Sequence, residues 1–287
     1  MRILSVCIVV LCSACGGGPK PVSYSDKAKE SYVLGVEALD DKNYIDAIEN
    51  FSTVKTKYPY SQYAALAEVK IADAYFKQDK FVEAISAYRT FAQRRPNHAE
   101  VPYVMFMIGE GYYEQQPSKF FLFPPSFEKD KGATHDAVRS YRSYLDRFPK
   151  HGKNEVAKKK MAECRSELAD FELYVARYYL SKERPVSALG RLEFLHRTFE
   201  DVSTQWALAS LMLIDTYLVL GRPDKHGEVQ VQDAKAKAQK VAERIVTVAP
   251  DSNSVRQAKK YLRLVGAGQP AQGRPPATQS PPVSKPN

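Results

Sequence analysis

Few side chains in this sequence of 287 residues have types and spacings that suit covalent chemistry. It contains no GxSxG, HExxH or Walker motif. The histidines are scattered among predicted loops and helix ends, which disfavours metal binding because a ligand set needs side chains that converge. They are His98, His135, His151, His196 and His226. The sequence therefore predicts a protein that is not an enzyme and holds no metal and no cofactor.

Cys15 is the residue at which a covalent modification is expected. Arg2 precedes an apolar run, 3–11 (ILSVCIVVL), and Ser13 and Ala14 supply the small residues of a secretory cleavage site. A cysteine directly after them resembles a bacterial lipobox, which implies cleavage before Cys15 and acylation of its thiol and new amine. Several acyl chains, at about 0.8 kcal/mol per buried CH₂, would anchor the protein to a membrane. An ordinary signal peptide with an incidental cysteine is the alternative.

The composition is that of a globular protein. Hydrophobic residues make up 44% of the chain and charged residues 26%, which excludes wholesale disorder. The formal net charge of +9 could in principle suit nucleic acid, but an exported protein meets little of it. Anionic membrane surfaces or acidic partner segments fit better, and a solvated helix face is the simpler interpretation. We therefore expect no nucleic-acid partner.

A spacing of small residue, aromatic residue and proline recurs along the chain. The full copies are Ala47-x₃-Phe51-x₇-Pro59, Ala84-x₃-Tyr88-x₇-Pro96 and Ala137-x₃-Tyr141-x₇-Pro149, and weaker copies begin at Ala188 and Ala238. Gly35 and Ala72 precede the first two copies by twelve residues, which lets a first helix approach a second one closely. The aromatic fills the space between hairpins, and proline ends the second helix. This tetratricopeptide pattern predicts an all-α fold, an α-solenoid of about five helical hairpins with a C-terminal capping helix.

The repeats divide the chain into five segments. A lipoprotein signal peptide is expected at 1–14 and an acylated flexible tether at 15–25, where Gly and Pro oppose regular structure. Repeats 1–3 are expected over 26–150, and repeats 4–5 with the capping helix over 151–265. One long helix is expected to run from Asn154 to Leu180, and Cys164 is expected in its core-facing side. The Pro-rich tail at 266–287 is expected to be disordered.

One face of each first helix should line the groove of such a solenoid. Counting equivalent positions along the first helices of the first three repeats predicts the residues that line this groove. They are Lys29, Tyr32, Val36, Val69, Asp73, Phe76, Lys77, Tyr103, Phe106, Glu110 and Tyr113. Aromatic side chains flanked by a few charges suit an extended peptide with apolar or aromatic side chains. Simple packing between helices is the alternative.

Two further sets of residues are candidates for contact with a partner. The insertion 119–127 (KFFLFPPSF) contains Phe120, Phe121 and Phe123, which must be covered either by the protein itself or by a partner. Arg191, Glu193 and Arg197 lie at helical spacing in the fourth repeat. A solvated surface is an equally good interpretation of the second set.

Several segments together resemble the BamD family, the tetratricopeptide lipoproteins of the outer-membrane β-barrel assembly machinery. The resemblance spans about 26–251 and rests on 58–63 (YPYSQY), 103–107 (YVMFM), the Phe-rich insertion running to Asp130, 135–137 (HDA), 147–149 (RFP) and 172–179 (ELYVARYY). The Pro-rich tail and the long loop in the fifth repeat depart from the shorter family pattern.

The resemblance implies a lipid-anchored, non-enzymatic subunit on the periplasmic face of the outer membrane. Its implied partners are the periplasmic domains of a BamA-type barrel protein, bound through the C-terminal repeats, and other assembly lipoproteins. It also implies that the N-terminal repeats receive unfolded outer-membrane barrel precursors. A pilotin-like tetratricopeptide lipoprotein for secretin or pilus assembly is the nearest alternative. A murein lyase is another, but no room for a catalytic domain remains after residue 265.

Overall fold

The structure is a computed structural model that describes residues 23–116, 130–222, 233–249 and 252–266. Within these ranges all regular secondary structure is helical. The helices are α1 (Tyr24–Asp40), α2 (Tyr44–Lys57), α3 (Gln62–Lys77), α4 (Phe81–Arg94), α5 (Val101–Glu114), α6 (Gly132–Arg147), α7 (Asn154–Ser181), α8 (Pro185–Thr198), α9 (Ser203–Leu220), α10 (Ala234–Val248) and α11 (Ser252–Gly266).

In the described parts of the chain, consecutive helices form five hairpins, and α11 follows the last of them. The predicted all-α, tetratricopeptide-like solenoid with a C-terminal helix is thereby confirmed. The chain divides into two compact units between Val104 and Met105. In the first unit α1 packs on α2, α2 on α3 and α3 on α4, and the first helices α1 and α3 also touch. In the second unit each helix from α6 to α11 packs on the next, and α9 contacts α7 and α11.

The small residues of the first helices have the packing role that the spacing predicted. A Cβ at Gly35 would lie 2.7 Å from the ring of Phe51, and one at Gly109 would lie 2.7 Å from the ring of Tyr141. Phe51 and Tyr141 are fully buried, so these rings occupy the space that a side chain would need. Gly35 and Gly109 therefore set the distance at which the two helices of a hairpin can pack.

The turn inside a hairpin has the same geometry in the first, second and fourth repeats. Lys42, Asp79 and Glu183 are left-handed, with φ values of 61°, 59° and 55°. In the first turn, the N–H of Asn43 donates to the carbonyl of Ala38 and the N–H of Lys42 donates to that of Leu39. These are the two hydrogen bonds of a Schellman motif, which satisfies the carbonyls at the end of a helix.

The second helix of each of the first three repeats ends as the sequence predicted. Their last residues are Lys57, Arg94 and Arg147, each followed by one capping residue and then a proline. In the fourth repeat Glu200 stands in the proline position, and α8 ends at the equivalent place. The repeat therefore does not need proline to stop this helix.

Some predicted boundaries differ from those in the structure. The tether was expected to end at Ser25, but α1 begins at Tyr24 because the Ser23 side chain caps it, accepting a hydrogen bond from the Asp26 N–H at 3.1 Å. The division between compact units also falls inside α5, whereas the sequence grouped the repeats as 26–150 and 151–265. The predicted long helix is present as α7, and Cys164 is buried in it.

Other predictions concern residues outside the described ranges. The signal peptide, Cys15 and most of the tether lie in 1–22, and nearly all of the Pro-rich tail lies in 267–287. The Phe-rich insertion lies in 117–129. Among the described residues, none of the helices has the length and apolar character needed to cross a membrane.

Candidate peptide-binding surfaces

Asp73 organises a polar cluster in the first unit. Its Oδ1 accepts hydrogen bonds from the hydroxyls of Tyr88, at 2.6 Å, and Tyr103, at 2.9 Å. Its Oδ2 lies 3.0 Å from Nζ of Lys70, one turn earlier on α3. The carboxyl side chain is only 7% exposed, so these donors replace the water that burial removes.

Half-buried aromatic rings adjoin this cluster. The Tyr32 ring lies 5.3 Å from the ring of Tyr63 and 5.5 Å from that of Phe51. Burial raises the pKa of Tyr32, and the carboxyls of Asp73 and Glu100 raise it further although Lys70 opposes them. We call Tyr32, Tyr63, Lys70 and Tyr103 the Tyr32 surface. All four are half-buried, Lys70 and Tyr103 contact Asp73, and Tyr63 contacts Tyr32.

The groups around Asp73 have shifted pKa values. Burial and the Asp73 carboxyl raise the pKa of Tyr103 and of Tyr88, which keeps both hydroxyls protonated as hydrogen-bond donors at neutral pH. Burial lowers the pKa of Lys70, but the opposing effect of Asp73 prevails and the net pKa is raised. The Tyr32 surface thus offers aromatic rings beside one cation, a combination that can hold an aromatic or apolar peptide side chain and a backbone carbonyl.

The predicted groove residues of the first unit fall into three classes of exposure. Lys29 and Lys77 are exposed, whereas Tyr32, Val36, Phe76 and Tyr103 are half-buried. Asp73 is buried by the contacts described above. Val69 is only 3% exposed and belongs to the packed face of α3, so its assignment to an open groove is wrong. Whether the others bind a peptide stays a prediction.

A second polar cluster lies at the start of the second unit. Glu110 accepts a hydrogen bond from the Tyr141 hydroxyl at 2.5 Å and pairs with Nζ of Lys160 at 2.6 Å. The same ammonium lies 4.4 Å from the centre of the Tyr113 ring. The Tyr113 hydroxyl donates to Glu163 at 2.6 Å, and this hydrogen bond, aided by burial, raises the pKa of Tyr113. Glu110 and Tyr113 are therefore half-buried members of a side-chain network.

Phe106 is a core residue. It is 4% exposed, and its ring packs against those of Tyr141 and Tyr144 on α6. Its assignment to the open groove is wrong because the second helix of the same hairpin covers it.

The polar clusters follow a rule that sequence reasoning missed. The residue after the small residue of the first helix is Val36, Asp73 and Glu110 in repeats 1, 2 and 3. The aromatic of the second helix is Phe51, Tyr88 and Tyr141 in the same order. A carboxylate thus occurs where the aromatic carries a hydroxyl, and valine occurs where it does not. The co-occurrence of a carboxylate and a tyrosine at these two repeat positions could have predicted the hydrogen bonds of Asp73 and Glu110. Lys70, Tyr63, Lys160 and Glu163 lie at other positions of the repeat and could not have been found in this way.

The candidate partner residues of the fourth repeat have different surroundings. Arg191 pairs with Glu172 at 3.1 Å, and Glu193 accepts a hydrogen bond from the Tyr217 hydroxyl at 2.5 Å. Arg197 is exposed, and its side chain makes no hydrogen bond or ion pair within the described ranges. Phe120, Phe121 and Phe123 lie outside those ranges. No group of His, Cys, Asp or Glu side chains suited to a metal ion occurs among the described residues.

Comparison with known proteins identifies clear relatives. The family model YfiO, described as an outer membrane lipoprotein, matches residues 24–231. The outer membrane protein assembly factor BamD of Xylella fastidiosa (strain 9a5c) is 30% identical over 197 residues, covering 64% of this chain and 67% of the relative. BamD of Vibrio cholerae serotype O1 is 26% identical over 190 residues, covering 65% of this chain and 78% of the relative.

The similarity to solved structures is weaker. The TPR2AB domain in a complex of yeast Sti1 aligns with a TM-score of 0.38 and 12% identity, over 83% of this chain and 98% of that one. At this TM-score the fold assignment rests on the helical hairpins of the chain itself.

Proposed function

Because this chain belongs to the YfiO/BamD family of outer membrane lipoproteins, we propose that it is a non-enzymatic subunit of the complex that assembles β-barrel proteins in the outer membrane. The observation that carries the proposal is the family match over 24–231, which covers the first four repeats and the first helix of the fifth. Its relatives are outer membrane protein assembly factors. The Tyr32 surface supports a binding role, since it places half-buried aromatic rings beside the Lys70 cation.

The Tyr32 surface is the proposed site for an unfolded barrel precursor. An extended chain can place an aromatic or apolar side chain against Tyr32 and Tyr63, whose rings are 5.3 Å apart. The Lys70 ammonium has three N–H donors and uses one of them on Asp73, so it can also donate to a carbonyl of the same chain. Many weak contacts of this type give modest affinity per site, which suits a factor that must release its substrate.

The second unit is the proposed contact for a BamA-type barrel protein and other assembly lipoproteins. Arg197 is the favoured contact residue of the three candidates, because it is exposed and, within the described ranges, its side chain is not engaged with another residue as those of Arg191 and Glu193 are. Arg191 forms an ion pair with Glu172, and Glu193 accepts a hydrogen bond from Tyr217. Both therefore have a role within the second unit. Acylation of Cys15 would keep both units on the periplasmic face of the outer membrane.

Site-specific photocrosslinking tests the precursor site. A photoreactive amino acid is placed at Lys29 or Lys77, which are exposed and belong to the predicted groove face of the first helices. Matched controls carry it at Ile45 and Val82, which are 77% and 68% exposed on the second helices α2 and α4. We expect crosslinks to unfolded barrel precursors from Lys29 and Lys77 but not from the controls. Equal yields at all four positions would remove the groove assignment.

A further inference from the structure

The last helix carries a stripe of cations along one face. Arg256, Lys259, Lys260 and Arg263 lie at positions i, i+3, i+4 and i+7 of α11, so they share one side of the helix. All four are exposed. We call these four residues the α11 stripe.

No carboxylate neutralises the α11 stripe within the described residues. α11 itself contains no Asp or Glu, and none of the ion pairs found in the described ranges involves its cations. The guanidinium of Arg256 donates to Oδ1 of Asn253 at 3.1 Å, which leaves its charge uncompensated. On the neighbouring helix α10, Arg244 by contrast pairs with Glu200 at 2.6 Å.

Described residues on the opposite face of α11 hold the helix in place. Ala258 is completely buried, and Tyr261 and Leu262 pack against the core of the second unit. α11 therefore cannot roll to insert an apolar face into a bilayer. The exposed side of α11 carries the α11 stripe and Leu264, which follows Arg263 and is 67% exposed.

We propose that the α11 stripe docks the second unit on a membrane surface of anionic lipids. Long, flexible cations without a carboxylate among them suit a fluid layer of phosphate groups, whose positions can adjust to theirs. A shape-specific protein interface would instead be expected to present an exposed aromatic anchor, and α11 has none, since its Tyr261 is half-buried. Leu264 can enter the boundary between headgroups and acyl chains as a minor apolar contact.

The inference goes beyond the proposed assembly role and does not depend on it, because lipid binding is measured on the purified protein alone. It adds a second membrane signal to the proposed acyl anchor, of the kind formed by one chain plus a polybasic patch. Each lysine or arginine near an anionic surface contributes about fivefold to binding.

Vesicle co-sedimentation tests the proposal with the chain from residue 15 carrying Cys15→Ser, so that neither the leader nor an acyl chain contributes. Vesicles contain phosphatidylcholine alone or phosphatidylcholine with phosphatidylglycerol. The test variant is Lys259→Glu with Lys260→Glu. The matched control is Lys158→Glu with Lys159→Glu, an adjacent and exposed lysine pair on α7 that changes net charge equally. Circular dichroism confirms that both variants are folded.

We expect binding to the anionic vesicles only, reversed by added salt. The α11 variant should bind at least about 25-fold more weakly, and the control should stay within about twofold of the parent protein. Equal loss in both variants would attribute binding to net charge and overturn the proposal. Absence of vesicle binding by the parent would also overturn it and would leave an acidic protein segment as the partner of the α11 stripe.

Discussion

At the scale of the residue, the second and third repeats pair a carboxylate with a tyrosine across each hairpin. Asp73 accepts from Tyr88 and Glu110 accepts from Tyr141, and in both cases the tyrosine occupies the slot in which the first repeat has Phe51. A buried hydroxyl without a partner would destabilise the fold, so the carboxylate and the hydroxyl have to occur together. The pairing of Asp73 with Tyr88 also places a carboxylate next to Lys70 and Tyr103 of the Tyr32 surface.

Tyr88→Phe is predicted to lower the free energy of unfolding by about 1–2 kcal/mol, because it removes a 2.6 Å hydrogen bond to a buried carboxyl and keeps the ring. Denaturant titration measures the change. Tyr60→Phe is the control, since Tyr60 is 95% exposed, and it should shift stability by no more than about 0.5 kcal/mol. If the two substitutions have equal effects, Asp73 does not need its Tyr88 partner.

Predictions for single residues were correct where the position of a residue along its helix is enough to place it in the core. Cys164 was expected in the core and is there. The groove assignments were less successful, because counting along a helix gives a face but not which part of that face another helix covers. Phe106 lies under Tyr141 and Tyr144 for this reason, and Lys70 was missed although it pairs with a predicted residue.

At the scale of the element, the first and third hairpins depend on a close approach at one glycine of the first helix. Alanine normally stabilises a helix over glycine by about 1 kcal/mol. At Gly35 this preference is opposed by the fully buried Phe51 ring, 2.7 Å from where the new Cβ would lie. Packing should prevail, since a buried ring has no free space into which it can move.

Gly35→Ala is therefore predicted to destabilise the protein by about 1–3 kcal/mol, and Gly190→Ala to stabilise it by up to about 1 kcal/mol. Gly190 is an exposed residue of α8 whose added Cβ would meet nothing within 4 Å, which makes it a matched control. Thermal unfolding monitored by circular dichroism gives the sign of each change. Stabilisation by both substitutions would show that α1 and α2 do not pack as closely as described.

The helices themselves were predictable because the repeat couples three signals at constant distances. Small residue, aromatic and proline marked the hairpins, and α2, α4 and α6 end directly before the capping residues that precede Pro59, Pro96 and Pro149. The start of α1 was less predictable, since the capping side chain of Ser23 lies among residues that otherwise resemble a tether. The left-handed turns were also missed, because Lys42, Asp79 and Glu183 are not glycines.

At the scale of the whole molecule, the chain belongs to a family of outer membrane lipoproteins, and its relatives are outer membrane protein assembly factors. The first unit contributes the Tyr32 surface, and the second contributes the exposed Arg197 and the α11 stripe. In the proposal these surfaces have separate partners: an unfolded precursor, a barrel protein and a lipid surface. If the partners are separate, a substitution in one surface should leave binding at the other two surfaces unchanged.

Quantitative proteomics of outer membranes after depletion of this protein tests the central claim most directly. Expression is placed under an inducible promoter and shut off, and lipoproteins that lack a barrel serve as the internal control. We predict that many unrelated β-barrel proteins decline together while those lipoproteins stay constant, and that renewed expression of the unaltered chain restores the barrels. Normal barrel levels in cells in which the protein is no longer detectable would contradict its role as an assembly factor.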